Sequence, residues 1–205
     1  MRLILSILFL ISSLSGNGQV IKASVNYIPF TVAGGPSCPF ALSFTSVVNL
    51  TESPSGTWWE TSAFADGNAK GTTTITVTDS ARFQCEYQSS QNTDHFAICW
   101  DANGSLSPSY YATSKFVVFV FAGEYWYNYN QTGAVNSTIS AVDGDLFCLF
   151  RDVSGNIYAQ YKRGAYWTNL SLMEEANTSV LTQYISSANE GDVNFTMLNP
   201  KYCIY

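Results

Sequence analysis

Short runs in which apolar and polar residues alternate, broken at close intervals by turn-forming residues, recur along the chain and limit what it can become. From Thr72 to Thr78, Thr73, Ile75 and Val77 take one face while Thr72, Thr74, Thr76 and Thr78 take the other. That is the pattern of a half-solvated antiparallel strand. Ala81 to Tyr87 reads as its neighbour. Phe96 to Trp100 enters Asp101-Ala102-Asn103-Gly104, a hairpin signal because Asn and Gly tolerate positive φ. Lys115 to Ala122 is β-branched and aromatic, as expected of a central core strand. Glu124 to Tyr129 alternates again, and further strands are expected at 19–32, 40–50, 135–142, 145–151, 157–161 and 193–198. The one helix candidate is Ser171 to Ile185: Glu174-Glu175 follow Ser171 at capping-box spacing, with a ragged stripe of Leu172, Ala176, Val180 and Ile185.

This inventory of about ten short strands and little helix predicts an all-β fold, an antiparallel two-layer β-sandwich, with a barrel as runner-up. An immunoglobulin pattern is weak, because Trp100 directly follows Cys99.

The N-terminus places Arg2 before an apolar stretch, Leu3 to Leu14, interrupted only by Ser6, Ser12 and Ser13. That is the layout of a signal peptide and too short to span a bilayer as a helix. The expected organisation is a signal at 1–18 and a single secreted domain at 19–205. Charged residues are 12% of the chain and net charge is −6. No basic patch offers itself to nucleic acid, and an anionic membrane would repel the chain.

Seven Asn-x-Ser/Thr sequons begin at Asn49, Asn103, Asn130, Asn136, Asn169, Asn177 and Asn194. Export would make each a candidate for N-glycosylation, and an occupied Asn must reach solvent. The five cysteines are Cys38, Cys85, Cys99, Cys148 and Cys203. In an oxidising compartment two disulfides and one leftover sulfur are expected. A Cys85–Cys99 bridge across a hairpin is one option, and an interchain link through the odd cysteine is another. No Cys-x2-Cys pair exists and His95 is the only histidine, so neither a metal nor a cofactor is expected.

Aromatics are 15% of the chain, and they supply the binding candidates: Trp58, Trp59, Tyr125, Trp126 and Tyr127. In a regular strand Tyr125, Tyr127 and Tyr129 share a face and Trp126 takes the other. An exposed row of such rings stacks on sugar, with Asn128 or Glu124 serving hydroxyls; the plainer reading is core packing. Catalysis finds less support. His95 has Asp94 and Glu86 nearby but no nucleophile elbow, and Glu124, Asp143, Asp145 and Asp152 show no paired spacing. The Asp143–Asp145 and Asp152–Gly155 turns read as turn formers more than calcium loops.

In texture the chain resembles the N-terminal receptor- or sugar-binding domains of coronavirus-type spike glycoproteins. The signal segment, the sequons, strands such as Phe116 to Phe121, and the cysteine-bearing stretches around Cys99 and Cys148 carry that likeness. It implies a galectin-like sandwich core that binds sugars or protein receptors. The expectation is therefore a non-enzymatic glycoprotein, secreted or on a virion surface, that binds a host glycan or cell-surface glycoprotein. The alternative is an immune-interacting or structural glycoprotein that binds protein only, with a secreted hydrolase third.

Overall fold

The protein is described by a computed structural model covering residues 40–41, 43–52, 57–60, 67–76, 79–87, 95–102, 114–188 and 196–204. Its strands in chain order are β1 (Phe40–Ala41), β2 (Phe44–Val48), β3 (Leu50–Glu52), β4 (Thr57–Glu60), β5 (Gly67–Ile75), β6 (Ala81–Glu86), β7 (His95–Asp101) and β8 (Phe116–Phe121). They continue with β9 (Glu124–Tyr129), β10 (Val135–Ser140), β11 (Leu146–Arg151), β12 (Ile157–Arg163), β13 (Tyr166–Glu174), β14 (Leu181–Ala188) and β15 (Thr196–Ile204). No helix occurs among the described residues.

Two antiparallel sheets result. The first runs β13-β12-β11-β6-β15-β4-β3, with β1 also paired to β15; the second runs β10-β9-β8-β7-β14-β5-β2. Their inner faces make one core. Phe83, Cys85, Phe147, Leu149, Ile157 and Ala159 from the first sheet meet Ile98, Trp100, Val118, Tyr125, Leu181 and Ile185 from the second. Burying each large apolar side chain contributes about 1.5–3 kcal/mol. The expected two-layer antiparallel sandwich is what forms.

The apolar run of β8 has a physical reason. Phe116, Val118 and Val120 face the core, while Val117 and Phe119 pack on the opposite face with Ala97, Cys99 and Tyr184. A strand buried on both sides loses its polar alternation.

The expected helix at 171–185 is replaced by the end of β13, a turn and β14. Of the expected stripe only Leu172 lies in β13, beside a register shift in the β12–β13 ladder, while Ala176 and Val180 fall in the turn and Ile185 in β14. Bulges place extra residues on one strand, so Leu170 and Met173 both reach the core while Leu172 stays exposed. Of the supposed stripe, Val180 is also exposed and Ile185 is buried, so these residues never share a face.

The cysteine expectation is also corrected. Cys85, Cys99 and Cys148 are free, buried thiols. Cys85 lies in the first sheet and Cys99 in the second, so they do not close a hairpin. Cys203 is disulfide-bonded. With three thiols free, the five sulfurs leave room for one disulfide within the chain. Cys38, the strand expected at 19–32 and the Asn103-Gly104 hairpin lie outside the described residues.

Two polar clusters tie the layers together. Arg151, fully buried at the end of β11, donates from Nη1 to Thr76 O at 3.1 Å and Ser179 O at 3.1 Å, and from Nη2 to Asn177 O. It thereby pins the first sheet to the end of β5 and to the β13–β14 turn. Gly155 completes that junction. Its φ is +84°, and an added Cβ would stand 2.7 Å from Asn177 O. Asp145 forms the second cluster, accepting from Arg163, Tyr125 and the Val142 N–H.

Candidate functional site

The outer face of the first sheet gathers aromatic rings and amides into one surface. Antiparallel register fixes its rows. Arg82 (β6), Phe150 (β11), Tyr158 (β12) and Leu172 (β13) lie side by side. The next row is Gln84, Cys148, Gln160 and Asn169, and the third is Glu86, Leu146, Lys162 and Trp167. Each of these residues alternates with a core residue, so the pleat turns it outward.

The side chains brace one another. Phe150 and Tyr158 stack with centroids 6.1 Å apart and planes 25° apart. The Arg82 guanidinium lies 4.1 Å from the Trp167 ring centre and 4.8 Å from that of Phe150. Contacts of that kind contribute about 0.5–2 kcal/mol each and hold the rings in place. Arg82 Nη2 donates to Gln160 Oε1 at 3.4 Å, and Gln160 Nε2 donates to Asn169 Oδ1 at 2.7 Å. Below them, burial pushes the Cys148 thiol up to about 12, although Arg82 opposes the rise. Such a thiol is protonated and inert at neutral pH. Phe150, Tyr158 and Trp167 are half-buried, leaving part of each ring open to solvent, and Asn169 is exposed. The platform therefore offers apolar ring surface beside the exposed Asn169 amide, with Gln160 and Arg82 buried among the rings and holding them in place. It has no activated nucleophile.

The binding candidates read from the sequence go elsewhere. Tyr125 is fully buried, its hydroxyl donating to Asp145 Oδ2 at 2.8 Å and its ring stacked on Tyr161. Tyr127 and Tyr129 do share its face, as expected, but that face packs on the core. Trp126 faces the other way and packs between Phe119 and Phe121. Its Nε1 is buried without a hydrogen-bond partner, as is Asn128 Oδ1. Trp58 and Trp59 sit in β4 opposite Met197 and Thr196 of β15; their side chains, and that of His95, lie outside the description.

The carboxylates considered for catalysis or calcium are occupied. Burial would raise the Asp145 pKa, but hydrogen bonds from Arg163, Tyr125 and the Val142 N–H outweigh it and lower the value. Asp152 accepts from Ser154 N, Asn156 N and Asn156 Nδ2, which makes it a turn former. Glu124 Oε2 accepts from Asn136 Nδ2 at 2.5 Å.

The described sequons differ in access. Asn130 and Asn169 are exposed. Asn177 is only 3% exposed; its Nδ2 donates to Glu174 Oε1 at 2.8 Å and its Oδ1 accepts from Ser179 N at 3.0 Å. A glycan would have to leave a buried Nδ2 that is engaged with Glu174, so glycopeptide mass spectrometry of protein exported from a glycosylating host is expected to find Asn177 bare. Substantial occupancy in folded protein would contradict this placement. Asn103 and Asn194 lie outside the described residues.

No family model matches the chain, and no curated protein does. Solved structures do match. The TRIM65 PSpry domain aligns with TM-score 0.56 and 10% identity, over 78% of this chain and 92% of that one. A legume lectin-like domain from Entamoeba histolytica gives 0.54 and 7%, over 80% and 89%. The carbohydrate recognition domain of Emp47p gives 0.53 and 9%, over 92% and 99%. The VIP36 lumenal domain, in a form bound to Ca2+ and Man3GlcNAc, gives 0.53 and 6%, over 79% and 82%. The fold is a lectin-like β-sandwich. At such identities the likeness is one of fold alone. It agrees with the sandwich implied by the spike-type resemblance, while similarity to a viral spike itself is not shown.

Proposed function

We propose that this chain is a glycan-binding module that acts outside the cell, free or displayed on a surface such as a virion, and recognises a sugar of a host glycan or cell-surface glycoprotein. One observation carries the reading. On a lectin-like sandwich, Trp167, Phe150 and Tyr158 present partly open rings beside the Gln160–Asn169 amide pair. Sugar rings stack their C–H faces on such aromatics and exchange hydroxyl hydrogen bonds with amides. The carbohydrate-recognition neighbours lend support at the level of fold.

A protein-only partner would favour an apolar patch clear of sequons. Among the described residues the exposed apolar side chains are spread over several elements, and the adjacent pair Val47 and Val48 on edge strand β2 is followed directly by the Asn49 sequon. The sugar reading is therefore preferred.

The test is a broad glycan array probed with protein made without N-glycans. Trp167→Ala is expected to weaken the strongest signal at least tenfold, about 1.4 kcal/mol or more, with the protein still folded and its thermal midpoint only modestly lowered by loss of the Arg82 contact. Absence of any array binding by the parent protein would sink the proposal.

A further inference from the structure

We propose that Asn169 carries an N-linked glycan whose first N-acetylglucosamine packs on Trp167, so that the platform holds the chain's own sugar and a foreign one must displace it. This rests on reading the platform as a sugar surface.

Asn169 begins the sequon Asn169-Leu170-Ser171, and Trp167 precedes it by two positions on β13. Residues two apart on a strand share a face and lie about 7 Å apart, close to the width of one sugar ring. Gln160 Nε2 holds Asn169 Oδ1 at 2.7 Å, which fixes the amide plane, and Asn169 is exposed with its Nδ2 making no hydrogen bond among the described residues. The sequons at Asn177, Asn136 and Asn130 lack that combination. Asn177 is buried with its Nδ2 engaged. Asn136 spends its Nδ2 on Glu124. Asn130 is exposed in the turn after β9, where Lys115 O receives its N–H.

The modification is a group transfer. A bond forms between Asn169 Nδ2 and C1 of the first N-acetylglucosamine, Nδ2 gives up one proton, and the pyrophosphate-linked lipid carrier of the oligosaccharide departs. Once β13 folds, the sugar emerges beside a ring already braced by Arg82 at 4.1 Å. Stacking there needs no rearrangement of the sheet. It also places an intramolecular sugar at high effective concentration over the surface that a free ligand would use.

The full chain is expressed in a glycosylating secretory host, and occupancy is read by glycopeptide mass spectrometry. Peptide N-glycosidase is then applied to the native protein. Asn169 is expected to be occupied and released at least tenfold more slowly than Asn130, with the difference vanishing on denaturation. Trp167→Ala should raise the native rate at Asn169 severalfold and Trp167→Tyr should restore slow release. The parent's Asn169–Asn130 comparison stands even if the alanine variant fails to fold. A bare Asn169, or native release as fast as at Asn130, overturns the inference. A second arm separates it from the functional reading: secreted Ser171→Ala, which removes the sequon and keeps Asn169, is compared with the glycosylated parent on the glycan array, with at least tenfold tighter binding expected. Slow release at Asn169 with no array binding by either protein supports the packed glycan and defeats the binding function alone. Array binding with fast release at Asn169 defeats the packed glycan alone.

Discussion

Arg151→Ala is expected to cost about 3–5 kcal/mol of unfolding free energy, the largest effect of any single substitution considered. The guanidinium is fully buried and supplies donors to three carbonyls, of Thr76, Asn177 and Ser179. Truncation leaves those acceptors without that donor and opens a void where a long side chain was. The three carbonyls belong to the end of β5 and to the β13–β14 turn, so the loss is felt where the two sheets are joined. Arg151→Lys keeps the charge but has no planar fork to reach several carbonyls at once. It is expected to lose about 1–3 kcal/mol. Urea unfolding of both variants measures this. A loss under about 1 kcal/mol for alanine would show that the junction holds without the guanidinium.

Asp145→Asn is expected to cost about 2–3 kcal/mol at neutral pH. Removing one partner of a buried pair costs more than that when both are enclosed. Here the Asp145 side chain is 3% exposed and Arg163 46%, so water recovers part of the cation's loss. The pH dependence has a definite sign. The folded Asp145 pKa lies below the 3.8 of a free aspartate side chain, so the unfolded chain takes up the proton first as pH falls. The stability this carboxylate contributes is complete above the unfolded value and disappears as pH drops through the folded one. The gap between parent and Asp145→Asn is therefore expected to be widest at neutral pH and to close below pH 3.8. A gap that stays constant as pH falls well below 3.8 would show that the Asp145 charge is not what holds the cluster.

The architecture was legible because period-2 alternation is local and needs no partner to be recognised. Thr72 and Thr74 are exposed and Ile75 is buried, as alternation requires. The error at 171–185 arose because Leu172 of β13, Ala176 and Val180 of the turn and Ile185 of β14 fall at near-helical spacing without a helix. The proposed binding surface was harder to find. Tyr125, Trp126 and Tyr127 are conspicuous as neighbours, yet the sheet sends the tyrosines into the core. The platform residues are dispersed through β6, β11, β12 and β13 and meet only through register. A trace of them was present: Tyr158, Gln160 and Lys162 alternate with Ile157, Ala159 and Tyr161, and Trp167 alternates with Asn169. In β11 even that trace is lost, because Phe147, Cys148, Leu149 and Phe150 are apolar on both faces.

Indole labelling of the non-glycosylated protein tests the sugar platform most directly. The strongest-binding oligosaccharide from the array is titrated while the tryptophan Nε1–H resonances are followed by NMR. Saturable movement of Trp167, with the core residue Trp100 unmoved, is the predicted result; saturable binding that leaves Trp167 in place would contradict the account.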